Sequence, residues 1–595
     1  MIPYNAPTRD MAFVMKELGL LAKVAALPGF EEATEETVDA ILEEAGKVAS
    51  EVIAPINYSG DKEGVAFENG VVRTPEGFPE AYGAFVEGGW STLAFDPDYG
   101  GQGLPWLVAT AVQEMWKSAN LAWSHCTMLT QGSVELLQEH GTEAQKATYL
   151  GKLISGEWTG TMNLTEPDAG SDVGALKCKA EPNGDHYLIR GQKIFITYGE
   201  HDMAENIVHM VLARTPEAPP GARGISLFLV PKHLVNKDGS LGPHNDLRCV
   251  SVEEKLGIHA SPTCVLAFGD NEGAVGTLIG EENQGLRAMF TMMNNARLSV
   301  GLEGVAIAER AYQKARDYAL ERIQGTDDAG GSDRVAIIRH PDVRRMLMTM
   351  RAYIEAMRAV AYDTAATLDA ARRHPDDEAR RAAQSRLELL TPICKAWSTD
   401  LGIELTSLAI QVHGGAGFIE ETGIAQFYRD ARISPIYEGT NGIQARDLVG
   451  RKVLRDKGAA MGEFLDDLAA TIADLEDGSD DCAALKRNLG PAADALKRAT
   501  DWLVAEGGTD AARAYAGATP YLKLFGTVAG GAMMARAARA AEAGRQTANG
   551  DAGFYEAKLV TARFYAEHVL PQAAGLAAEI MEGADSVMAL PEDRF

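Results

Sequence analysis

Along TEETVDAILEEAGKVASEVIAPI (residues 34–56), apolar Val38, Ile41, Leu42 and Ala45 recur every three or four positions between acidic residues. That spacing places them on one face of a helix, and Pro55 predicts its end. EAQKATYLGKLISGEW (143–158) repeats the period, and FDPDYGGQGLP (95–105) reads as a loop from its proline and glycine. Residues 1 to about 155 therefore read as mostly helical.

The texture changes near Gly160. DHYLIRGQKIFITYG, NIVHMVLART, ISLFLVPK and TCVLAFGD are short runs rich in Ile, Val, Phe and Tyr, divided by turn signals such as Pro182-Asn183-Gly184. They predict several antiparallel strands. Near Gly285 a long helical pattern begins, carrying Met and Ala on its apolar faces. GTDDAGGS (325–332) reads as a loop, and long helices are expected over His340–Arg372 and Asp377–Gly414. After Lys457 the helices become Ala-rich, with acidic breaks at DLEDGSDD and AEGGTDA. No fixed-period repeat occurs. The fold class is α+β multidomain: an N-terminal helical domain over 1–158, a central antiparallel β domain over 159–282, a C-terminal helical bundle over 283–455 and an additional helical domain over 456–595.

At 595 residues the chain exceeds one core, which supports several domains. A net charge of −28 argues against a nucleic-acid partner and an anionic membrane surface, though plain solubility explains it equally. The six cysteines show no CxxC spacing and read as small buried apolar groups in a reducing compartment. The first residues lack a basic stretch followed by an apolar core, and no uncharged run is long enough to span a bilayer, so a cytoplasmic location is expected. P-loop, GxGxxG, GxSxG and HExxH patterns are absent, and the histidines form no metal-ligand cluster.

Two stretches carry candidate chemistry. ISPIYEGTNGIQ (433–444) sets one carboxylate, Glu438, between an aromatic and a glycine turn. Taken alone it is a surface Glu before a helix that Thr440 caps. TEPDAGSD (165–172) is a turn-rich loop able to aim backbone N–H groups at an anion.

Four stretches together, MNLTEPDAGSDVGALKCKA, GQKIFITYG, QVHGGAGFIEETGIAQFYRDARI and PIYEGTNGIQ, resemble the acyl-CoA dehydrogenase family in order and spacing, over roughly Gly88 to Leu454. The resemblance implies FAD as cofactor and removal of two hydrogens across Cα–Cβ of an acyl-CoA thioester. It makes Glu438 the base for the α-proton, with Gly439 allowing close backbone approach to the thioester and Tyr437 walling the acyl pocket. Thr165 and the loop backbone, Gly170 included, would hold the flavin ring, lined by Met162 and Leu164; Ser171 lies where the family contacts flavin phosphate or the CoA chain. Phe195 replaces the usual Trp against the ring, and Thr197 matches a threonine near N5. Gln411, Gly414 and Gly415 would approach the FAD pyrophosphate of a neighbouring subunit, Arg322 the FAD phosphates, and Thr440 the ribose or phosphates. Arg297 matches an arginine near the active site, although the frequent Asp three positions earlier is Asn294. Glu166, Asp172 and His259 read as structural.

The chain's extensions, over about the first 30 residues and after Leu454, resemble a long-form bacterial branch. That branch acts on 3-(methylthio)propanoyl-CoA, the reading preferred, or on fatty acyl-CoAs of broad chain length. The resemblance also implies an electron-transferring flavoprotein or other acceptor, and a homodimer or dimer of dimers. The rival readings are an acyl-CoA oxidase, a non-enzymatic DNA-binding relative and a catalytically dead flavoprotein scaffold; the charge disfavours the second and the intact Glu438 the third.

Overall fold

The structure, a computed structural model, describes residues 3–476, 478–547 and 551–595; Asp477 of the acidic break DLEDGSDD lies outside them. Two compact units emerge. The first comprises Lys47–Leu104 and Ala119–Ser299 with residues 3 and 4; the second comprises Asn5–Gly46, Pro105–Ser118 and the described residues from Val300 to Phe595.

In the first unit Pro55 opens a helix instead of ending one. The helix Glu35–Val48 runs on as a π turn, Ala49–Ile53, and Pro55 starts Pro55–Glu63. The first helical position needs no amide hydrogen, so proline is tolerated there. A hairpin, β1 (Ala66–Glu68) and β2 (Val71–Arg73), interrupts the region expected to be helical. Asn69 and Gly70 turn it with positive φ of 51° and 85°, which suits the right-handed twist of a two-residue hairpin. Strands β3 (Trp158–Asn163), β4 (Lys179–Asn183), β5 (His186–Thr197), β6 (Asn206–Ala213) and β7 (Ser226–Pro231) follow. After the small hairpin β8 (His233–Val235) and β9 (Leu241–His244) come β10 (Leu247–Val252), β11 (Thr263–Phe268) and β12 (Ala274–Ile279).

Eight strands form one sheet in the order β10-β11-β5-β12-β7-β6-β3, with β4 added on β5. The expected antiparallel strands are present, with one departure: β3 pairs with β6 in parallel. The β4–β5 excursion between them is long enough for the crossover that parallel neighbours need. β6, β7 and β11 are buried at every position, so both faces of the central sheet are covered. Ile189, Val211, Phe228, Val230, Leu266 and Phe268 share its core.

The second unit is helical. The helix Gly285–Glu321, which belongs to it from Val300 on, meets Asp377–His413 backbone to backbone. A Cβ at Gly301 would lie 2.5 Å from the Cys394 carbonyl oxygen, and one at Gly304 2.1 Å from that of Ser398. Pro341–Arg373 is a third long helix, close to the expected span, and Asp480–Gly507 and Ala518–Thr547 follow in the region expected to be an additional helical domain. The expected loop over 325–332 is partly a hairpin, β13 (Ile323–Thr326) with β14 (Arg334–Ala336). Fully buried Arg358 donates to Glu114 at 2.6 and 2.8 Å and to Glu309 at 2.8 Å, while Tyr362 donates to Glu114 at 2.8 Å.

The two extensions fold against each other within this unit. Buried Phe13 meets the Phe554 ring edge-on at 5.6 Å, and the Arg9 guanidinium sits 4.0 Å over the same ring. Between them the Lys558 ammonium pairs with Asp10 and lies 3.1 Å from Glu355. Lys558→Met would leave two carboxylates without this cation. The variant is expected to lose about 3 kcal/mol, read as a lower denaturant midpoint with earlier proteolysis near the start of the chain.

All six cysteines are free and buried. Among the described residues no helix is long and apolar enough to cross a membrane, and no cluster could hold a metal.

Candidate active site

The expected site residues fall in both units. In the first, the Thr165–Asp172 loop leaves β3 and is fastened to β5. Glu166 is the anchor: its carboxylate accepts from the backbone of Lys177 at 2.6 Å and Cys178 at 3.0 Å, and from Lys193 Nζ at 2.8 Å. Lys193 is fully buried and also donates to the Leu164 carbonyl at 3.0 Å. Burial pushes the Glu166 carboxyl up, but Lys193 and the backbone donors outweigh it and hold the group below its ordinary value. Asp172 accepts from Gly174 N–H, so Glu166 and Asp172 both serve to hold the loop itself.

The loop also reshapes β5. The β5–β11 register slips between Cys264 and Leu266, and at this bulge the Ile194 N–H turns to the Thr165 carbonyl at 2.9 Å. Phe195 follows in the left-handed region, φ 59°, at a cost of roughly 1–2 kcal/mol for an L-residue. The residue is 59% exposed, so it is not packed into the sheet as an ordinary core phenylalanine would be. Half-buried Met162, Leu164, Thr165 and Thr197 and exposed Gly170 and Ser171 complete the set in this unit. Arg297 is buried; its guanidinium lies 3.4 Å from Asn294 Oδ1 and 5.9 Å from the Phe290 ring centre. His259 reads as structural here too, with its two ring nitrogens at the Asp61 and Lys255 carbonyls, 3.2 and 3.0 Å away.

In the second unit, residues 433–440 run from one short turn into the helix Asn441–Asp447. Thr440 accepts from Ile443 N–H at 3.2 Å and caps that helix. Just before it, Glu438 is left-handed at φ 55° and Gly439 at φ 85°. Fixed points flank this strained pair. Ahead of it, Ser434 Oγ and Tyr437 Oη donate to Glu303 Oε2 at 2.7 and 2.5 Å. Behind it, Lys395 Nζ donates to the Gly439 carbonyl at 2.9 Å and to Asn441 Oδ1 at 2.7 Å. Asn441 in turn donates to Thr399 and Asp400 at 2.9 and 2.7 Å. Burial, then the Glu303 charge, push the Tyr437 hydroxyl far above its ordinary value, so it stays a donor.

Gln411, Gly414 and Gly415 lie exposed at the end of Asp377–His413, and Arg322 is exposed just past the helix Gly285–Glu321. His413, between them, stacks on Tyr318 at 4.3 Å.

Within each unit, residues expected at FAD lie open. A Cβ built at Gly170, Gly414 or Gly415 meets no atom within 4 Å, and Phe195 offers an exposed ring. The motifs did not point to Lys193, Glu303 or Lys395. A signal existed for Glu303, a lone charge in the otherwise apolar run LSVGLEGVAIA.

Four family descriptions match in chain order: the acyl-CoA dehydrogenase N-terminal domain over 35–157, middle domain over 161–271 and C-terminal domain over 283–454, and an acetyl-CoA dehydrogenase C-terminal-like domain over 464–591. A 3-methylmercaptopropionyl-CoA dehydrogenase of Ruegeria pomeroyi is 49% identical over 587 residues, 98% of this chain and 99% of the relative. A butyryl-CoA dehydrogenase of Syntrophomonas wolfei is 35% identical over 610 residues, 99% of each chain. An acyl-CoA dehydrogenase of Bacillus anthracis solved with FAD is 21% identical and shares the fold, with a TM-score of 0.74 over 94% of this chain and 91% of that one. The strained turn at Glu438 and the exposed Phe195 therefore sit in a chain that matches such enzymes almost from end to end: it belongs to the acyl-CoA dehydrogenase family and is an FAD-dependent oxidoreductase acting on acyl-CoA thioesters.

Proposed function

We propose that the protein dehydrogenates 3-(methylthio)propanoyl-CoA to 3-(methylthio)acryloyl-CoA, with Glu438 as the base. The 49% identity to the Ruegeria pomeroyi enzyme across nearly both whole chains carries the substrate assignment. FAD, when bound, accepts the β-hydrogen as hydride. Glu438 takes the α-proton as the β-hydrogen leaves, so two hydrogens depart and one C=C forms. The α-proton is weakly acidic, so the base must be held close while the thioester carbonyl is polarised. A left-handed Glu followed by a left-handed Gly bares the backbone beside the carboxylate, which suits close approach of a thioester oxygen.

The other roles follow the same reading. Met162, Leu164, Thr165, Gly170, Phe195 and Thr197 hold the flavin ring. Arg322, Gln411, Gly414, Gly415 and Thr440 serve its phosphates and ribose, Ser171 the flavin phosphate or the CoA chain, and Arg297, Tyr437 and Gly439 the substrate. The glycines at 414 and 415 lie open at the end of a helix, as residues serving a neighbouring subunit would, which supports a homodimer or dimer of dimers. Domain boundaries near 158, 282 and 455, a cytoplasmic location and an electron-transferring flavoprotein or other acceptor complete the proposal.

A second reading, a dehydrogenase of broad chain length, draws on a broad-specificity linear acyl-CoA dehydrogenase of Mycobacterium tuberculosis, 35% identical over 620 residues and matched over 100% of each chain. Steady-state kcat/KM for 3-(methylthio)propanoyl-, butyryl-, octanoyl- and palmitoyl-CoA with an artificial acceptor separates the two. The sulfur substrate is expected to lead butyryl-CoA by about tenfold, the scale on which an apolar pocket resolves one or two methylenes. A lead for octanoyl- or palmitoyl-CoA would assign general fatty-acid oxidation, and fast peroxide release in air an oxidase.

A further inference from the structure

Glu303 is a fully buried carboxylate in an apolar stretch of the helix Gly285–Glu321. Packing alone does not require a charge there, since Gly301 and Gly304 already set the close approach to the neighbouring helix. Burying a carboxylate is costly unless it is paired and hydrogen-bonded. Glu303 meets both conditions: Oε2 accepts from Ser434 and Tyr437, and Lys117 Nζ, itself buried, lies 3.8 Å from Oε1. Hydroxyl–carboxylate bonds of 2.5–2.7 Å are the short, charge-assisted kind. They seize the chain at 434 and 437, immediately before the strained residue 438, and Lys395 seizes it again at 439 and 441. With both flanks fixed, the left-handed backbone at Glu438 has little room to relax into an ordinary conformation.

We propose that Glu303, with Lys117 as its counter-charge, is a positioning residue for the dehydrogenation: by gripping Ser434 and Tyr437 it fixes the direction in which the Glu438 carboxylate leaves the backbone. This rests on reading Glu438 as the base. Glu303 does not touch the reacting atoms. It keeps the base in reach of the α-proton, where a displacement of about 1 Å costs on the order of a hundredfold in rate.

The test uses the FAD-loaded full chain with Glu303→Gln, Tyr437→Phe, their double variant and Glu438→Gln. Glu303→Gln and Tyr437→Phe are each expected to lower kcat by about tenfold to a hundredfold, with KM changed by less than about threefold. Amide hydrogen exchange should quicken across 434–441 in both. The double variant should be no slower than the worse single one, because each breaks the same link. The proposal is overturned if Glu303→Gln keeps kcat within about twofold of wild type, or if the two losses multiply. Should Glu303→Gln fail to fold, Tyr437→Phe decides: an unchanged kcat or unchanged exchange rejects the link. Glu438→Gln separates the two levels. If it retains turnover, the base assignment fails and takes this inference with it. If it is inactive while Glu303→Gln is fully active, only the positioning role falls.

Discussion

Glu438→Gln is expected to purify yellow with bound FAD and to lose turnover by about three to four orders of magnitude, the upper range of general-base catalysis. The amide keeps the volume of the side chain and can occupy the same left-handed turn, held by Glu303 ahead of it and Lys395 behind. What it cannot do is accept a proton. Neither fold nor cofactor should suffer, because the anchors of the turn are other side chains. Thermal midpoint and FAD content should match the parent protein, with kcat alone collapsing. Near-native kcat would mean that another group takes the α-proton.

Lys193→Met should damage the protein in the opposite pattern, through stability and cofactor rather than through kcat alone. Lys193 is fully buried and holds Glu166, which itself ties the backbone at 177 and 178. Removing one partner of a buried pair strands the other charge, at about 3–5 kcal/mol. The same lysine steadies the Leu164 carbonyl, so the loop beside Phe195 should loosen and FAD should be lost on gel filtration. Adding Glu166→Gln to Lys193→Met removes the stranded charge and should recover part of the thermal midpoint. The acid side follows from the lowered Glu166 carboxyl. A depressed folded-state value contributes stability that is complete above the carboxyl's ordinary range and is lost as pH falls through the depressed value. Wild type should therefore lose its advantage over the double variant on acidification. An advantage that persists in full at the acid end would show that Lys193 contributes through contacts other than its pair with Glu166, its bond to the Leu164 carbonyl among them.

The long helices were readable because their apolar period is sustained and their ends are marked. Asp376 accepts from Ala379 N–H at the start of Asp377–His413, and Gly414 closes that helix. The hairpins β1–β2 and β13–β14 escaped because their strands, three or four residues long, carry too little alternation to register against helical surroundings. The parallel β3–β6 pair escaped for another reason: strand direction depends on which distant segment lies alongside, and local alternation is blind to that. At the site, Glu438 and Phe195 stood out through their motifs, whereas the strain at both did not, since neither residue type announces a positive φ. Lys193, Glu303 and Lys395 were hidden more deeply. A lone charge in an apolar run usually marks a helix boundary or a solvated edge, and its buried partner sits far away in the chain, as Ser434 and Tyr437 do from Glu303.

The most direct measurement is anaerobic mixing of the FAD-loaded protein with 3-(methylthio)propanoyl-CoA, following loss of the flavin's long-wavelength absorbance in wild type and Glu438→Gln side by side. The expected result is rapid bleaching in wild type and almost none in the variant, with the variant still binding the acyl-CoA. Equal bleaching in both would remove Glu438 from the proton transfer, and no bleaching of wild type by this or any other acyl-CoA would contradict the dehydrogenase assignment itself.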